Sequence, residues 1–150
     1  MDCKIVKATI DDLAEVARLF DEYRQFYSQS SDIELATHFI KSRILEQSSV
    51  IFLAKDSLNV GLGFAQLYPS FSSISARPTL ILNDLYVSKF ARCVGVGKTL
   101  ISRCNSYAIM EGIVHIGLQT HKENKQAQLL YERLGFIQDE EFLSYGYEVC

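Results

Sequence analysis

The chain has 150 residues, 48% of them hydrophobic, with 15 basic and 18 acidic side chains for a net charge of −3. That suffices for one sizeable core and leaves no room for a second, so residues 1–150 read as a single domain. The charge balance lacks the basic footprint of a nucleic-acid binder, and no window approaches the roughly 18 apolar residues of a membrane span, so neither nucleic acid nor membrane is an expected partner.

In chain order, Ile5-Val6-Lys7-Ala8 reads as a short strand. Thr9 with Asp12 three residues on forms a capping box ahead of Leu13, Val16, Ala17, Phe20 and Tyr23, a helical spacing expected to end near Tyr27. After the polar stretch 28–31, Ile33, Ala36, Ile40 and Ile44 mark a second helix. The periodicity then changes. Residues 50–54 and 60–68 read as strands joined by hairpin-type turn chemistry at Asp56-Ser57-Leu58-Asn59, with Phe64, Gln66 and Tyr68 alternating onto one face. The serine-rich stretch 69–78 reads as a loop. Strand 80–87, helix 97–111, strand 113–119 and helix 124–134 alternate as a βαβα unit with two neighbouring parallel strands, and Asp84 is expected to share a face with Leu82 and Tyr86. Residues 136–138 and 142–149 read as short closing strands.

Cysteines at 3, 93, 104 and 150 lack Cys-x-x-Cys spacing, and His38, His115 and His121 are scattered, so no metal is expected and the thiols are expected to be free. With no apolar leader core after Met1-Asp2-Cys3-Lys4, the cytoplasm is the expected location.

Two stretches carry chemistry. After the apolar strand comes Arg92-Cys93-Val94-Gly95-Val96-Gly97-Lys98, a glycine-rich turn opening a helix. Each glycine there costs about 1 kcal/mol relative to alanine, which suggests a close approach of something to the backbone, and strand, turn and helix in this order form an anion cradle of amides. It is not a phosphate loop of the Gly-x-x-x-x-Gly-Lys-Thr type, because the opening glycine would fall at Arg92. Nor is it a dinucleotide fingerprint, whose third glycine would fall at Leu100. The second stretch places Asn124, Ala127, Tyr131 and Leu134 on one helical face, with about 10.5 Å along the axis from Asn124 to Tyr131. Its simpler reading is an amphipathic helix capped by Asn124, carrying Tyr131 as a core aromatic and Gly135 as its stop.

Together, Arg-x-x-Gly-x-Gly and Asn-x-x-Ala-x-x-Leu-Tyr-x-x-x-Gly-Phe, in this order about 40 residues apart, resemble the GNAT superfamily of N-acetyltransferases. The element order resembles that family over the whole chain. The resemblance implies an α/β (α+β) GNAT-type fold: a central, mixed, mostly antiparallel twisted sheet of six to seven strands with about four helices. It implies acetyl-CoA as co-substrate, with no metal. The diphosphate would sit on the amides of Cys93, Val94, Gly95, Val96, Gly97 and Lys98, with Arg92 and Lys98 adding charge. Leu85, Tyr86 and Val87 would offer backbone groups to the pantetheine arm and the thioester carbonyl. Asn124 would hold the pantetheine or phosphate end, and Tyr131 would donate to the departing thiolate. Cys93 departs from the family, where glycine or a small residue is common, and reads as a small residue filling the turn.

For the acceptor, similar diamine acetyltransferases have an acidic residue close to Asp84, which would take the amine proton or hold a cationic substrate; a carboxylate tied to backbone or an arginine is the competing reading. Glu22, Tyr23 and Tyr27 fall where the family forms its acceptor side. The expectation is direct attack of a small cationic amine, of polyamine or aminoglycoside type, on the thioester in a ternary complex. A protein or peptide amine, and a CoA-binding sensor without turnover, are the alternatives. A homodimer through the strand around Tyr145-Gly146-Tyr147 is possible.

Overall fold

The computed structural model describes residues 2–150 and divides into two compact units, one ending at Gln119 and the other spanning Thr120–Cys150. In the first, strands β1 (Lys4–Lys7), β2 (Val50–Lys55), β3 (Gly61–Ser72), β4 (Arg77–Val87) and β5 (Ile116–Gly117) form one sheet in sequence order. The first three pairings are antiparallel, and β4 with β5 is parallel, as expected for the βαβ step.

Helices α1 (Leu13–Phe26) and α2 (Ile33–Leu45) cover one face of the sheet. Thr9 and Asp12 close the expected capping box at a short 3-10 turn that leads into α1, and the Asp32 side chain caps α2 through Leu35 N. Val16, Leu19, Phe20, Ala36 and Ile40 pack there on Ile51, Leu53, Phe64 and Tyr86. Each fully buried large side chain of this kind contributes roughly 1.5–3 kcal/mol. Helix α3 (Val96–Met110) takes the opposite face, where Tyr107 meets Phe52 edge-on at 5.7 Å between centroids. Leu100, Ile101 and Cys104 are fully buried, and burial pushes the Cys104 thiol up to about 12.

Three expectations need correction. The sheet has five strands among the described residues, not six or seven: 136–138 and 142–149 form no strand, and Phe142, Tyr145 and Tyr147 stand 72%, 91% and 89% exposed. The stretch 69–78 is mostly strand. Pro69, Ser70, Phe71 and Ser72 pair with Leu80, Thr79, Pro78 and Arg77, leaving only a tight turn between them. Pro69 is tolerated because β2 stops pairing with β3 at Leu67, so the missing N–H deprives no ladder on that side. Finally, the β3–β4 register slips between Gln66 and Leu67: Gln66 faces Asp84, Leu67 faces Leu82, and Asn83 is the extra residue. Directly opposed residues share a face, so Leu82 and Asp84 lie on opposite faces, and only Tyr86 keeps Asp84 company.

The second unit holds α4 (Lys125–Arg133). Asn124 caps it by accepting from Ala127 N at 3.2 Å, and Gly135, at φ +95°, ends it as a left-handed glycine.

Candidate active site

After β4, a 3-10 turn (Lys89–Ala91) leads to Arg92 in extended conformation, and left-handed backbone at Cys93 (φ +63°) and Gly95 (φ +89°) swings the chain into α3. Gly95 is the N-cap, so no side chain satisfies the first-turn amides of Val96, Gly97 and Lys98, which also lack intrahelical carbonyls. With the helix dipole behind them, these amides suit an anion. A Cβ built on Gly95 meets nothing within 4 Å, so glycine is required by the backbone angle, and the space before the turn is open. A diphosphate fits this cradle, and Lys98 is exposed at its rim. Arg92 turns back instead: its Nε donates to the Val87 carbonyl at 3.0 Å, and its guanidinium lies 5.8 Å over Phe26 and 5.6 Å over Tyr86.

The end of β4 is held from one side and open on the other. A Cβ on Gly63 would meet the Tyr86 carbonyl at 2.7 Å and Val87 Cα at 3.2 Å, so that glycine permits the two backbones to approach. On the other edge β5 pairs only with Leu80 and Ile81, and from Leu82 to Val87 no described strand covers β4. Leu85, Tyr86 and Val87 pair with β3 on the other side, and the Val87 carbonyl also accepts from Arg92 Nε.

The acceptor-side candidates come together with partners that sequence reasoning did not find. Glu22 is the centre of a network: Arg18 Nη1 donates to Oε1 at 2.7 Å, and Tyr86 Oη and Ser88 Oγ each donate to Oε2 at 3.1 Å. Arg18 also bonds Glu15 and the Gly61 carbonyl. Glu22 therefore ties α1 to the end of β4 and has its charge met within the fold. Tyr23 stands in an aromatic group with Phe20, Phe64, Tyr86 and Tyr27, at centroid distances of 6.2, 6.0, 6.3 and 5.1 Å. The turn that carries Tyr27 is pinned by buried Asp21, which accepts from Ser31 Oγ at 2.7 Å and Asp32 N at 2.8 Å.

Asp84 is 3% exposed on this same helix-covered face. Gln66 Nε2 donates to one carboxylate oxygen and Asn83 Nδ2 to the other, and the Tyr23 hydroxyl, which donates to the Asn83 carbonyl at 3.4 Å, also favours the charged carboxylate. No described arginine or lysine forms an ion pair with it. Burial pushes its pKa above the ordinary range, and the three donors pull against that. Tyr68 nearby is pushed up to about 12, by burial first and by the Asp84 charge second, with Arg43 opposing.

In the second unit, Tyr131 and Asn124 share the expected face of α4; Tyr131 packs edge-on against Phe136 at 5.8 Å, and its carbonyl accepts from Phe136 N. The missed partners carried one legible signal: Gln66, a lone amide inside an apolar strand, had to have a buried partner.

Known proteins identify the family. The acetyltransferase (GNAT) family model matches residues 15–136. An uncharacterized N-acetyltransferase, YhfO of Bacillus subtilis (strain 168), is 42% identical over 141 residues, covering 94% of each chain. The D-amino-acid N-acetyltransferase HPA3 of Saccharomyces cerevisiae is 30% identical over 91% of this chain and 87% of its own. The crystal structure of a probable acetyltransferase superposes with a TM-score of 0.92 at 38% identity over 98% of both chains. Cradle, open strand edge, fold and relatives converge: this chain belongs to the GNAT family of acetyltransferases, enzymes that use acetyl-CoA as co-substrate.

Proposed function

We propose that this enzyme moves the acetyl group of acetyl-CoA to a primary amine of a small cationic molecule, of polyamine or aminoglycoside type, by direct attack within a ternary complex. The observation that carries the reading is Asp84, a buried carboxylate with no cationic partner among the described residues. A buried anion is costly unless paired, and an ammonium group entering this face supplies the missing partner. Asp84 then takes the amine proton, and the freed lone pair attacks the thioester carbonyl. Backbone groups at the end of β4 receive the carbonyl oxygen as it becomes negative. Tyr131 donates a hydrogen bond to the departing thiolate; a phenol is a weaker acid than a thiol, so the bond stabilises charge without a full proton transfer. Glu22 acts here by holding Tyr86 and Ser88, with Tyr23 and Tyr27 forming the acceptor wall.

An amino acid as acceptor is the second reading. Arg43 favours it: its Nη2 pairs with Glu46 at 3.1 Å, but its Nε is buried without a hydrogen-bond partner, and its charge acts on Tyr68, the neighbour of Asp84. The substrate in the yeast relative's name points the same way.

The test incubates purified protein and acetyl-CoA with a panel of polyamines, aminoglycosides, free amino acids and peptides while free thiol is followed. Thiol release on polyamines or aminoglycosides is the expected result. Release on amino acids alone selects the second reading, and release on peptides alone points to a protein acceptor. Binding of acetyl-CoA without release on any amine makes the chain a sensor.

A further inference from the structure

Gln66 is fully buried in the apolar part of β3. An amide in such a place is costly unless both its ends are bonded, and here both are. Its Oε1 accepts from Ser49 Oγ at 2.8 Å, and its Nε2 donates to Asp84 Oδ2. The three residues meet because the β3–β4 register sets Gln66 opposite Asp84, while Ser49 stands one residue before β2. On the other oxygen, Asn83 Nδ2 donates to Oδ1 at 3.0 Å. Each oxygen of Asp84 therefore faces an amide N–H, an arrangement that favours the ionised carboxylate.

We propose that Gln66 is a positioning residue for acetyl transfer, its amide oriented by the Ser49 hydroxyl so that Asp84 is kept ionised and aimed to receive the proton of the incoming amine. The proposal rests on the reading of Asp84 as the group that takes that proton. Ser49 suits the task because a hydroxyl both donates and accepts. With Asp84 ionised, Ser49 donates to Oε1 and Nε2 points at the carboxylate. When the amine proton arrives on Oδ2, the amide turns over: Oε1 accepts the new O–H, and Nε2 donates to Ser49 Oγ. The proton moves from nitrogen to Oδ2, the electron pair stays on nitrogen, and no buried polar atom loses its partner.

Other groups facing Asp84 leave the control to Gln66. From α1 the Tyr23 hydroxyl, engaged with the Asn83 carbonyl, favours the charged form; from β3 Tyr68 is neutral across the working range; from α2 Arg43 acts on Tyr68; along β4 the phenol of Tyr86 is engaged with Glu22.

The experiment reads Asp84 directly. Carboxyl-carbon NMR titration of the ligand-free protein, with D84N assigning the resonance, is compared among wild type, Q66M and S49A, alongside the pH profile of kcat/KM for the best amine of the panel. Losing the Gln66 donor is expected to move the Asp84 titration, and the acidic limb of the profile with it, up by about one to two pH units. S49A moves both in the same direction by less, and serves alone if Q66M does not fold. An Asp84 titration unmoved in these variants overturns the role of Gln66. A titration that moves while D84N keeps full kcat/KM overturns instead the assignment of Asp84, and the catalytic part of this proposal with it.

Discussion

The turn at 92–98 and the cluster around Asp84 are made from different materials. The turn is backbone: uncapped amides, two left-handed residues and open space before Gly95. The cluster is side chains: Asp84, Gln66, Ser49 and Asn83 in one chain of hydrogen bonds, with Tyr23 reaching toward them from α1. Backbone amides recognise a phosphate whatever the neighbouring side chains are, so on the proposed reading the family's shared cofactor would be served by a backbone device. Substrate choice needs groups that differ from one chain to the next, and side chains supply them.

Substitutions sharpen this contrast. D84N is expected to have the largest effect, lowering kcat/KM for the amine by about 10²–10⁴-fold while acetyl-CoA binding by calorimetry is unchanged. It has a stability signature as well. Because burial raises the Asp84 pKa, the folded chain keeps a proton that the unfolded chain releases. The Asp84 contribution to stability is thus fully present below the ordinary carboxylate value of about 4 and is lost as pH rises through the folded value. D84N lacks that decline, so thermal midpoints should diverge in its favour toward pH 8; midpoints that run parallel with pH would contradict the raised pKa.

Y131F comes next, with kcat reduced by about 10²-fold and acetyl-CoA affinity nearly intact. An unchanged kcat would return Tyr131 to the packing role it has against Phe136. The smallest effect belongs to the turn. G95A forces a side chain into φ +89° at a cost of about 1–2 kcal/mol. If the turn relaxes to avoid this strain and its amides swing away, calorimetry should record a roughly tenfold weaker acetyl-CoA affinity with little change in amine selectivity.

The same contrast explains what the sequence made legible. Caps are local, so Thr9 with Asp12, Asp32 and Asn124 were readable or nearly so from a few neighbours. The cradle was readable because glycine before a helix is locally unfavourable and must have a reason. Strand pairing is not local. The run 69–72 looked like a loop by composition and is strand because Arg77, Pro78, Thr79 and Leu80 lie opposite it. The alternation at 142–149 looked like strand and is none, because alternation without a neighbour forms no ladder. Asp84 was found as a candidate, but its partners depend on a register that only two strands together define.

The extra residue at Asn83 has a consequence for how this protein tolerates change. In a regular strand residues two apart share a side, and the extra residue is what puts Leu82 and Asp84 on opposite sides. Removing that single codon would make the two direct neighbours, which alternate sides as they already do, so the carboxylate would stay opposite Gln66 and lose only the local kink and the Asn83 amide on Oδ1. A deletion at this one position should therefore be absorbed, whereas the same deletion elsewhere between Leu80 and Asp84 would turn the lining over.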